Sequence, residues 1–177
     1  MILGRLGARD RPAKLAARRL YSGAVAQARA PALYAVMGIA DSPEGRFEAL
    51  TLHVLLLLER LKLDGPRLDK LWQGVFDIYV RDLDGALREM GVGDLSVGRK
   101  MKRLGEAFYG RAKAFEHAFA SLPDRGPLRE VVGRTLLEER PGADPAPLAD
   151  YAEECRARLG DQPLDELLGG LAAWRDP

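Results

Sequence analysis

Residues 41–62, which read DSPEGRFEALTLHVLLLLERLK, decide the fold. Ser42 can cap a helix and Pro43 suits a first helical turn, so we predict a helix that runs to about Lys62 and closes before Gly65. Apolar residues recur here at helical spacing and also fill most of the other positions. A helix that is apolar on most sides lies inside a fold, so we expect this one at its centre.

Helical signals continue on both sides of this stretch. On the N-terminal side, Pro12 is expected in the first turn of a helix that runs to about Arg29, ahead of Pro31. On the C-terminal side, Pro66 is expected to open a helix that ends near Gly91, because glycine tolerates the left-handed backbone at a helix end.

A fourth long helix is expected to begin near Asp94 and Ser96, either of which can cap it, and to end near Ser121. Further helical patterns follow Pro127, Pro145 and Pro163, and the last of them spans Leu164–Trp174. No segment alternates apolar and polar residues in the manner of a strand. The predicted fold is therefore all-α, a single multi-helix bundle with a central apolar helix and a C-terminal helical appendage.

We expect three regions along the chain. A basic N-terminal segment covers residues 1–19, a helical core covers residues 20–140, and the appendage covers residues 141–177. The expected hinge is the Pro- and Gly-rich stretch Pro141–Pro147.

Charge is unevenly distributed, although the net charge is only +1. Residues 1–30 carry seven Arg or Lys against one Asp, which gives +6, and residues 138–166 carry nine acidic residues against three Arg, which gives −6. Residues 99–113 carry six cations against one Glu. Such asymmetry indicates surfaces that face different partners or simply two different solvated helix faces. It does not indicate DNA, which would require a strong overall positive charge or a recognisable motif.

The compartment is suggested by cysteine usage and hydropathy. Cys155 is the only cysteine, so no internal disulfide can form, as expected in a reducing compartment. We read it as a structural thiol whose pKa is raised by neighbouring carboxylates. The longest apolar run, Leu50–Leu58, contains His53 and is too short to span a bilayer. We therefore expect a cytoplasmic protein with peripheral contact to the inner face of the membrane.

Catalytic and metal motifs are absent from the sequence. The two histidines, His53 and His117, are far apart, and no HExxH, CxxC or GxSxG motif is present. His53 lies in the central helix and is expected to be a hydrogen-bonded core residue. We predict neither catalysis nor a cofactor.

Three stretches of the sequence stand out by their order and spacing. They are YSGAVAQARAPALY at Tyr21–Tyr34, DSPEGRFEALTLH at Asp41–His53, and Asp77–Arg111, in which LREMGVGD is followed by a basic segment and by FYGR. Together they resemble the ubiquinol–cytochrome c chaperone family. The resemblance covers roughly residues 20–120, and little of it is carried by residues after about 125. It implies an assembly factor for respiratory complex III that binds newly made cytochrome b. Mitochondrial members also act with a small partner protein and with the translating ribosome.

A holdase for a polytopic client needs aromatic anchors and oriented polar groups around an accessible groove. The residues of these stretches that fit such a role are the partner-binding candidates: Tyr21, Arg29, Tyr34, Asp41, Arg46, Asp77, Asp82, Asp84, Arg88, Glu89, Asp94, Lys100, Tyr109 and Arg111. The same residues could instead join the helices, for example through a pair between Arg46 and Asp82 or Asp94.

The expected partner is cytochrome b or another complex III subunit. The alternative function is a helical adaptor that docks on the ribosome or on an anionic membrane surface without a dedicated client. It depends on the basic N-terminus and on the basic fourth helix. A helical enzyme acting on a lipid-like substrate is disfavoured because paired acidic metal motifs are missing.

Overall fold

The computed structural model describes the backbone of residues 4–177 and the side chains of residues 11–177. Within that part of the chain no strand occurs, which confirms the predicted all-α class. The helices are α1 (Gly4–Ala28), α2 (Pro31–Ala35), α3 (Pro43–Leu63), α4 (Asp69–Glu89), α5 (Asp94–Ala120), α6 (Gly126–Thr135), α7 (Ala146–Asp161) and α8 (Leu164–Leu168), with a 3-10 turn at Gly65–Arg67.

The central position of α3 follows from its composition. Every residue from Thr51 to Leu58 is buried, and α3 is packed against α1, α4 and α7. Its N-terminus is capped as predicted, because the hydroxyl oxygen of Ser42 accepts a hydrogen bond from the Gly45 amide at 3.0 Å. A close α1–α4 contact completes the centre, since a Cβ added to Gly74 would lie 2.8 Å from the Cβ of Ala17.

Two predicted helix starts and one predicted cap need correction. Helix α1 begins at Gly4, so Pro12 lies inside it. Proline has a helical φ, but it removes one backbone N–H hydrogen bond from the helix and crowds the preceding turn. Pro66 lies in the 3-10 turn, and α4 starts at Asp69. Neither predicted cap is used at α5, where the extended backbone of Gly93 forms the N-cap.

The turn between α4 and α5 explains the unused caps. Gly91 has a φ of +80°, and the Val92 amide donates to the carbonyl of Leu87 at 3.0 Å, which ends α4 in the left-handed manner that glycine favours. The carboxylate of Asp94 instead binds the guanidinium of Arg88 across this turn. An acidic side chain in a first turn remains favourable for the helix dipole without capping it.

The C-terminal residues pack onto the same core as the rest. The buried side of α7 includes Leu148, Tyr151 and Cys155. Helix α8 ends at Leu168, earlier than predicted, because Gly170 has a φ of +85° and redirects the chain. The division of the chain at residues 19/20 and 140/141 stays a prediction, although α1 runs through the first of these positions without a break.

The buried imidazole of His53 has a hydrogen-bond partner at each of its two nitrogens. The ring nitrogens of His53 lie 2.7 Å from the Ala49 carbonyl oxygen and 2.8 Å from the Tyr151 hydroxyl. Burial lowers the pKa of His53 to about 4, so this histidine is neutral at physiological pH. It is the satisfied core residue that its position in the central helix predicted. Burial, and not neighbouring carboxylates, is the main cause that raises the pKa of the buried Cys155 thiol.

Helices long and apolar enough to cross a membrane are not found in residues 4–177.

Candidate partner-binding cleft

A cleft of about 580 Å³ opens beside the N-terminal end of α3. Its walls come from the C-terminal end of α1, the first turns of α3, the second half of α4, the middle of α5 and residues 135–139. Five of the fourteen candidate residues line it: Arg29, Tyr34, Arg46, Asp82 and Arg111. The three stretches that resemble the chaperone family therefore meet at one surface.

The floor of the cleft is apolar. Helix α4 contributes Leu83 and Leu87, α3 contributes Phe47 and Leu50, and α5 contributes Leu104. These side chains are partly accessible to solvent. An apolar floor that water can reach favours a ligand that brings apolar surface of its own.

Gly45 fixes where the N-terminal end of α3 lies. A Cβ at this position would lie 2.0 Å from the carbonyl oxygen of Ala40. Because that oxygen belongs to the backbone, no side-chain rotation could relieve the clash. The glycine thus lets the chain before α3 fold back tightly against its first turn. That close approach places the next two residues, Arg46 and Phe47, at the cleft.

Arg46 forms the accessible rim. Its Nε donates to the carboxylate of Asp41 at 2.7 Å, and both side chains are more than half exposed. The predicted pairs of Arg46 with Asp82 or Asp94 are wrong, because the residue five positions earlier in the same turn is the partner. The guanidinium also lies 5.5 Å from the centre of the Tyr34 ring. Because both side chains are exposed, both ions remain accessible to a partner. Exposed pairs of this kind also contribute little to stability.

Arg111 is held differently, since it forms a paired hydrogen bond with a buried carboxylate. Its Nε donates to Glu48 at 2.6 Å, and its terminal nitrogen reaches the other oxygen of the same carboxylate. The two side chains are only 21% and 10% exposed. This pair joins α5 to α3 at the floor of the cleft and is mainly structural.

Asp82 is held in place from beneath by Tyr21. The buried Tyr21 hydroxyl donates to the Asp82 carboxylate at 2.6 Å, joining α1 to α4. Burial, followed by the bond to Asp82, raises the pKa of Tyr21, so the phenol keeps its proton and acts as a donor. Tyr34 is half-buried, and its hydroxyl donates to the Ala28 carbonyl at the end of α1.

The other candidates lie outside this cleft. Arg88 binds both Asp84, at 2.7 Å, and Asp94, and so braces the α4–α5 turn. Asp77 accepts a hydrogen bond from Gln73 at 2.6 Å on the exposed side of α4. Glu89 and Lys100 are exposed, and neither lines the cleft.

Tyr109 belongs to a second cleft of about 480 Å³, which α3, α4 and α5 enclose. Its lining is richer in aromatic side chains and includes Trp72, Phe108 and Phe119. Tyr109 lies at its edge and is 62% exposed. The candidate tyrosines therefore serve two different surfaces.

Several cleft residues were missed at the level of sequence. Phe47 and Glu48 line the cleft and belong to the motif GRFE, but they are not among the partner-binding candidates. The charge of Glu48, two positions after Arg46, was a signal in the sequence that could have identified it. The far wall contains Leu136, Glu138 and Glu139, which lie beyond the stretches that carried the resemblance. Nothing in their local pattern predicts contact with α3.

Metal binding finds no support at this surface. Among the described side chains, no three His, Cys, Asp or Glu residues come close enough together to hold an ion. The ordinary roles of the cleft carboxylates are those of hydrogen-bond acceptors and ion-pair partners.

Comparison with known proteins gives the same answer as the motifs. Residues 35–174 match the family described as Ubiquinol-cytochrome C chaperone. The chain belongs to the ubiquinol–cytochrome c chaperone family. It is also similar to the crystal structure of the Cbp3 homologue from Brucella abortus, with 32% sequence identity and a TM-score of 0.88. That match covers 99% of this chain and 97% of the Brucella chain. The search of curated protein sequences found no match to the present chain.

The extent of the family match changes one expectation. The resemblance carried by the motifs faded after about residue 125, whereas the family match continues to residue 174. It therefore includes α6 and α7, which supply part of the cleft wall and the hydrogen-bonding partner of His53. The stretch Tyr21–Tyr34 precedes the family match but falls within the near-complete match to the Brucella structure.

Proposed function

We propose that this protein binds newly made cytochrome b during biogenesis of ubiquinol–cytochrome c reductase, and that the cleft beside α3 holds the client. Membership of the chaperone family supports an assembly role in complex III. The observation that carries the proposed site is the convergence of the three family-like stretches on one accessible cleft with an apolar floor.

The chemistry of the cleft suits a segment of an unassembled membrane protein. Such a client exposes apolar helix surface together with short charged loops. Leu83, Leu87 and Phe47 offer apolar contact area, whereas Arg29 and Arg46 at the rim offer donors that match carboxylates and free carbonyls. Glu138 on the opposite wall is exposed and can receive a basic loop residue.

Charge reversal at the rim tests the proposal. We expect Arg46→Glu to reduce co-purification of cytochrome b roughly tenfold, because an Arg held at an interface is often a binding hot spot. The folded chain should be little affected, since the Arg46–Asp41 pair is exposed. The measurements are co-purification from a strain that lacks the chromosomal copy, reductase activity, and the thermal unfolding of each purified variant.

Arg125→Glu is the matched control. Arg125 is similarly exposed and ion-paired, with Asp150 at 3.2 Å and Glu153 at 2.8 Å, but it does not line the cleft. Arg88→Glu provides a second comparison, because Arg88 is near the cleft without lining it. Equal loss of client binding in Arg46→Glu and Arg125→Glu would reject the cleft as the client site. So would a loss that merely follows the unfolded fraction.

A second candidate function is a helical adaptor that docks on the ribosome or on a membrane surface without a dedicated client. The exposed cations of α5 favour it, namely Arg99, Lys100, Lys102, Arg103 and Lys113. It requires salt-sensitive co-sedimentation with ribosomes and normal levels of complex III after gene deletion. Loss of b-type haem and of reductase activity on deletion, restored by the wild-type chain, supports the chaperone. We place either function in the cytoplasm at the inner face of the membrane.

A further inference from the structure

The outward face of α5 combines apolar and basic side chains in a way that the client cleft does not use. Leu95, Arg99, Lys102, Tyr109 and Lys113 recur at intervals of three, four or seven residues and therefore share one side of the helix. All five are exposed. Leu95 is 96% exposed and Tyr109 is 62% exposed, which is unusual for large apolar or aromatic side chains on a folded protein.

The charges on this face are mostly unopposed. Lys102 approaches the carboxylate of Glu106 only at 3.9 Å, and both side chains are well exposed. Arg103 is also exposed and lies at the edge of this face, one turn after Arg99. Within residues 11–177, Arg99, Arg103 and Lys113 form no ion pair. A helix face with a residual positive charge attracts anionic surfaces.

The α4–α5 turn extends this face by one more apolar side chain. Met90, immediately before the turn, is 66% exposed, and Leu95 follows it in the first turn of α5. Arg88 holds this turn in place by binding Asp84 and Asp94 on its two sides. The apolar tip is therefore a braced part of the fold.

We propose that this face docks on the surface of an anionic lipid bilayer. Leu95 and Met90 would enter the boundary between headgroups and acyl chains, Tyr109 would lie at headgroup level, and the cations would contact lipid phosphates. A nucleic-acid surface would use the cations but would leave the two aliphatic side chains without a role. The coexistence of both side-chain types is what favours lipid.

The position of this face relative to the cleft is suited to a membrane client. The opposite side of α5 carries Leu104 and Arg111, which line the cleft. A chain docked through the outward face would thus hold the cleft close to the bilayer. The docking surface includes neither Leu104 nor Arg111. Of the side chains named for it, only Met90 also lines the cleft, and the variants below leave Met90 unchanged.

Sedimentation with vesicles tests the surface directly, using the purified full-length chain without a client. The vesicles contain phosphatidylcholine alone or phosphatidylcholine with added phosphatidylglycerol. We expect binding only to the anionic vesicles. The double variant Arg99→Glu and Arg103→Glu should weaken it at least tenfold, since each cation near an anionic surface contributes about a fivefold factor. The double variant Leu95→Ser and Tyr109→Ser should weaken it by a similar factor.

The control replaces two exposed arginines of α6, as Arg129→Glu and Arg134→Glu, which changes the net charge equally at another place. This control should bind vesicles nearly as well as the wild type, and circular dichroism should show all variants folded. Equal loss in the control and in the α5 charge variant would overturn the proposal. Full binding by the Leu95 and Tyr109 variant, or binding of RNA without binding of vesicles, would overturn it as well. None of these outcomes bears on the cleft, which is tested by client co-purification.

Discussion

Helix α3 divides at Glu48 into two unequal halves, residues 43–47 and residues 49–63, and most of their polar side chains are placed in opposite ways. In the N-terminal half, Glu44 and Arg46 are exposed at the edge of the cleft. The side-chain hydrogen bond of Arg46 goes to Asp41, only five residues earlier in the chain. In the C-terminal half, Thr51, His53 and Arg60 are buried, and each is bonded to another part of the chain. One helix thus presents a surface for a partner at one end and holds the core together at the other.

The difference shows that residue type alone does not reveal a role. An arginine occurs in both halves, yet Arg60 is only 8% exposed and donates to the backbone of Leu159 and Gln162, which anchors the end of α7. A buried polar group that loses its partner is costly, whereas an exposed one is not. Substitutions in the two halves should therefore separate stability from client binding.

The largest expected effect lies at the boundary between the halves, in Arg111→Ala. This change leaves the carboxylate of Glu48 buried without its cation, and we expect the free energy of unfolding to fall by about 4 kcal/mol. Chemical denaturation measures the loss. The double variant Glu48→Gln and Arg111→Gln should recover much of it, because no charge remains buried. A loss below about 1 kcal/mol would mean that Glu48 is hydrated and belongs to the accessible half.

The next largest effect is a pH dependence in the buried half. The pKa of His53 is about 4 in the folded chain, below its ordinary value of 6.5, because of burial. Between these two values the unfolded chain binds the additional proton. The contribution of neutral His53 to the free energy of unfolding is therefore fully present above pH 6.5. It is lost as the pH drops toward 4, which lowers the free energy of unfolding by about 3 kcal/mol in total.

His53→Gln isolates this contribution, since glutamine can form hydrogen bonds but does not titrate in this range. We expect the variant to be less stable at neutral pH and to show a shallower decline between pH 6.5 and pH 4. The other ionisable groups are the same in both chains, so their contributions cancel in the difference. An identical decline in the wild type and in the variant would contradict a neutral buried His53.

Much of the fold could be predicted from the sequence because its signals are local. The cap at Ser42 and the apolar run of α3 depend on neighbouring residues only, and both were located correctly. The predicted start of α1 is wrong because proline often marks a helix boundary, whereas this helix contains Pro12. The end of α8 was wrong because the positive φ of Gly170 was not anticipated within an apolar pattern.

The site was less predictable because its pairings depend on how helices cross. The resemblance selected Arg46 and Arg111, but sequence alone gave no way to see that one would bind Asp41 in the same turn and the other Glu48 on another helix. Glu138 could not be found at all, since it lines the same cleft as α3 only because of how the chain after α6 packs. Local patterns predict elements, whereas ion pairs between elements require their relative positions.

The smallest expected effect, Tyr79→Phe, sharpens the comparison most. The Tyr79 hydroxyl lies 2.9 Å from the Thr51 hydroxyl in the buried half, and burial raises the pKa of Tyr79 to about 12, so the phenol is neutral. Phenylalanine keeps the ring contact with Phe108, and Thr51 can instead donate to a backbone carbonyl one turn earlier. We therefore expect the free energy of unfolding to fall by only about 1 kcal/mol, as measured by chemical denaturation.

Client co-purification of this variant, corrected for its folded fraction, should equal that of the wild type, whereas Arg46→Glu should show the reverse combination of intact stability and lost binding. If Tyr79→Phe lost client binding beyond its loss of folding, the buried half of α3 would also take part in recognition. The separation between the two halves would then fail, since a change that leaves the cleft surface intact would have altered what the cleft binds.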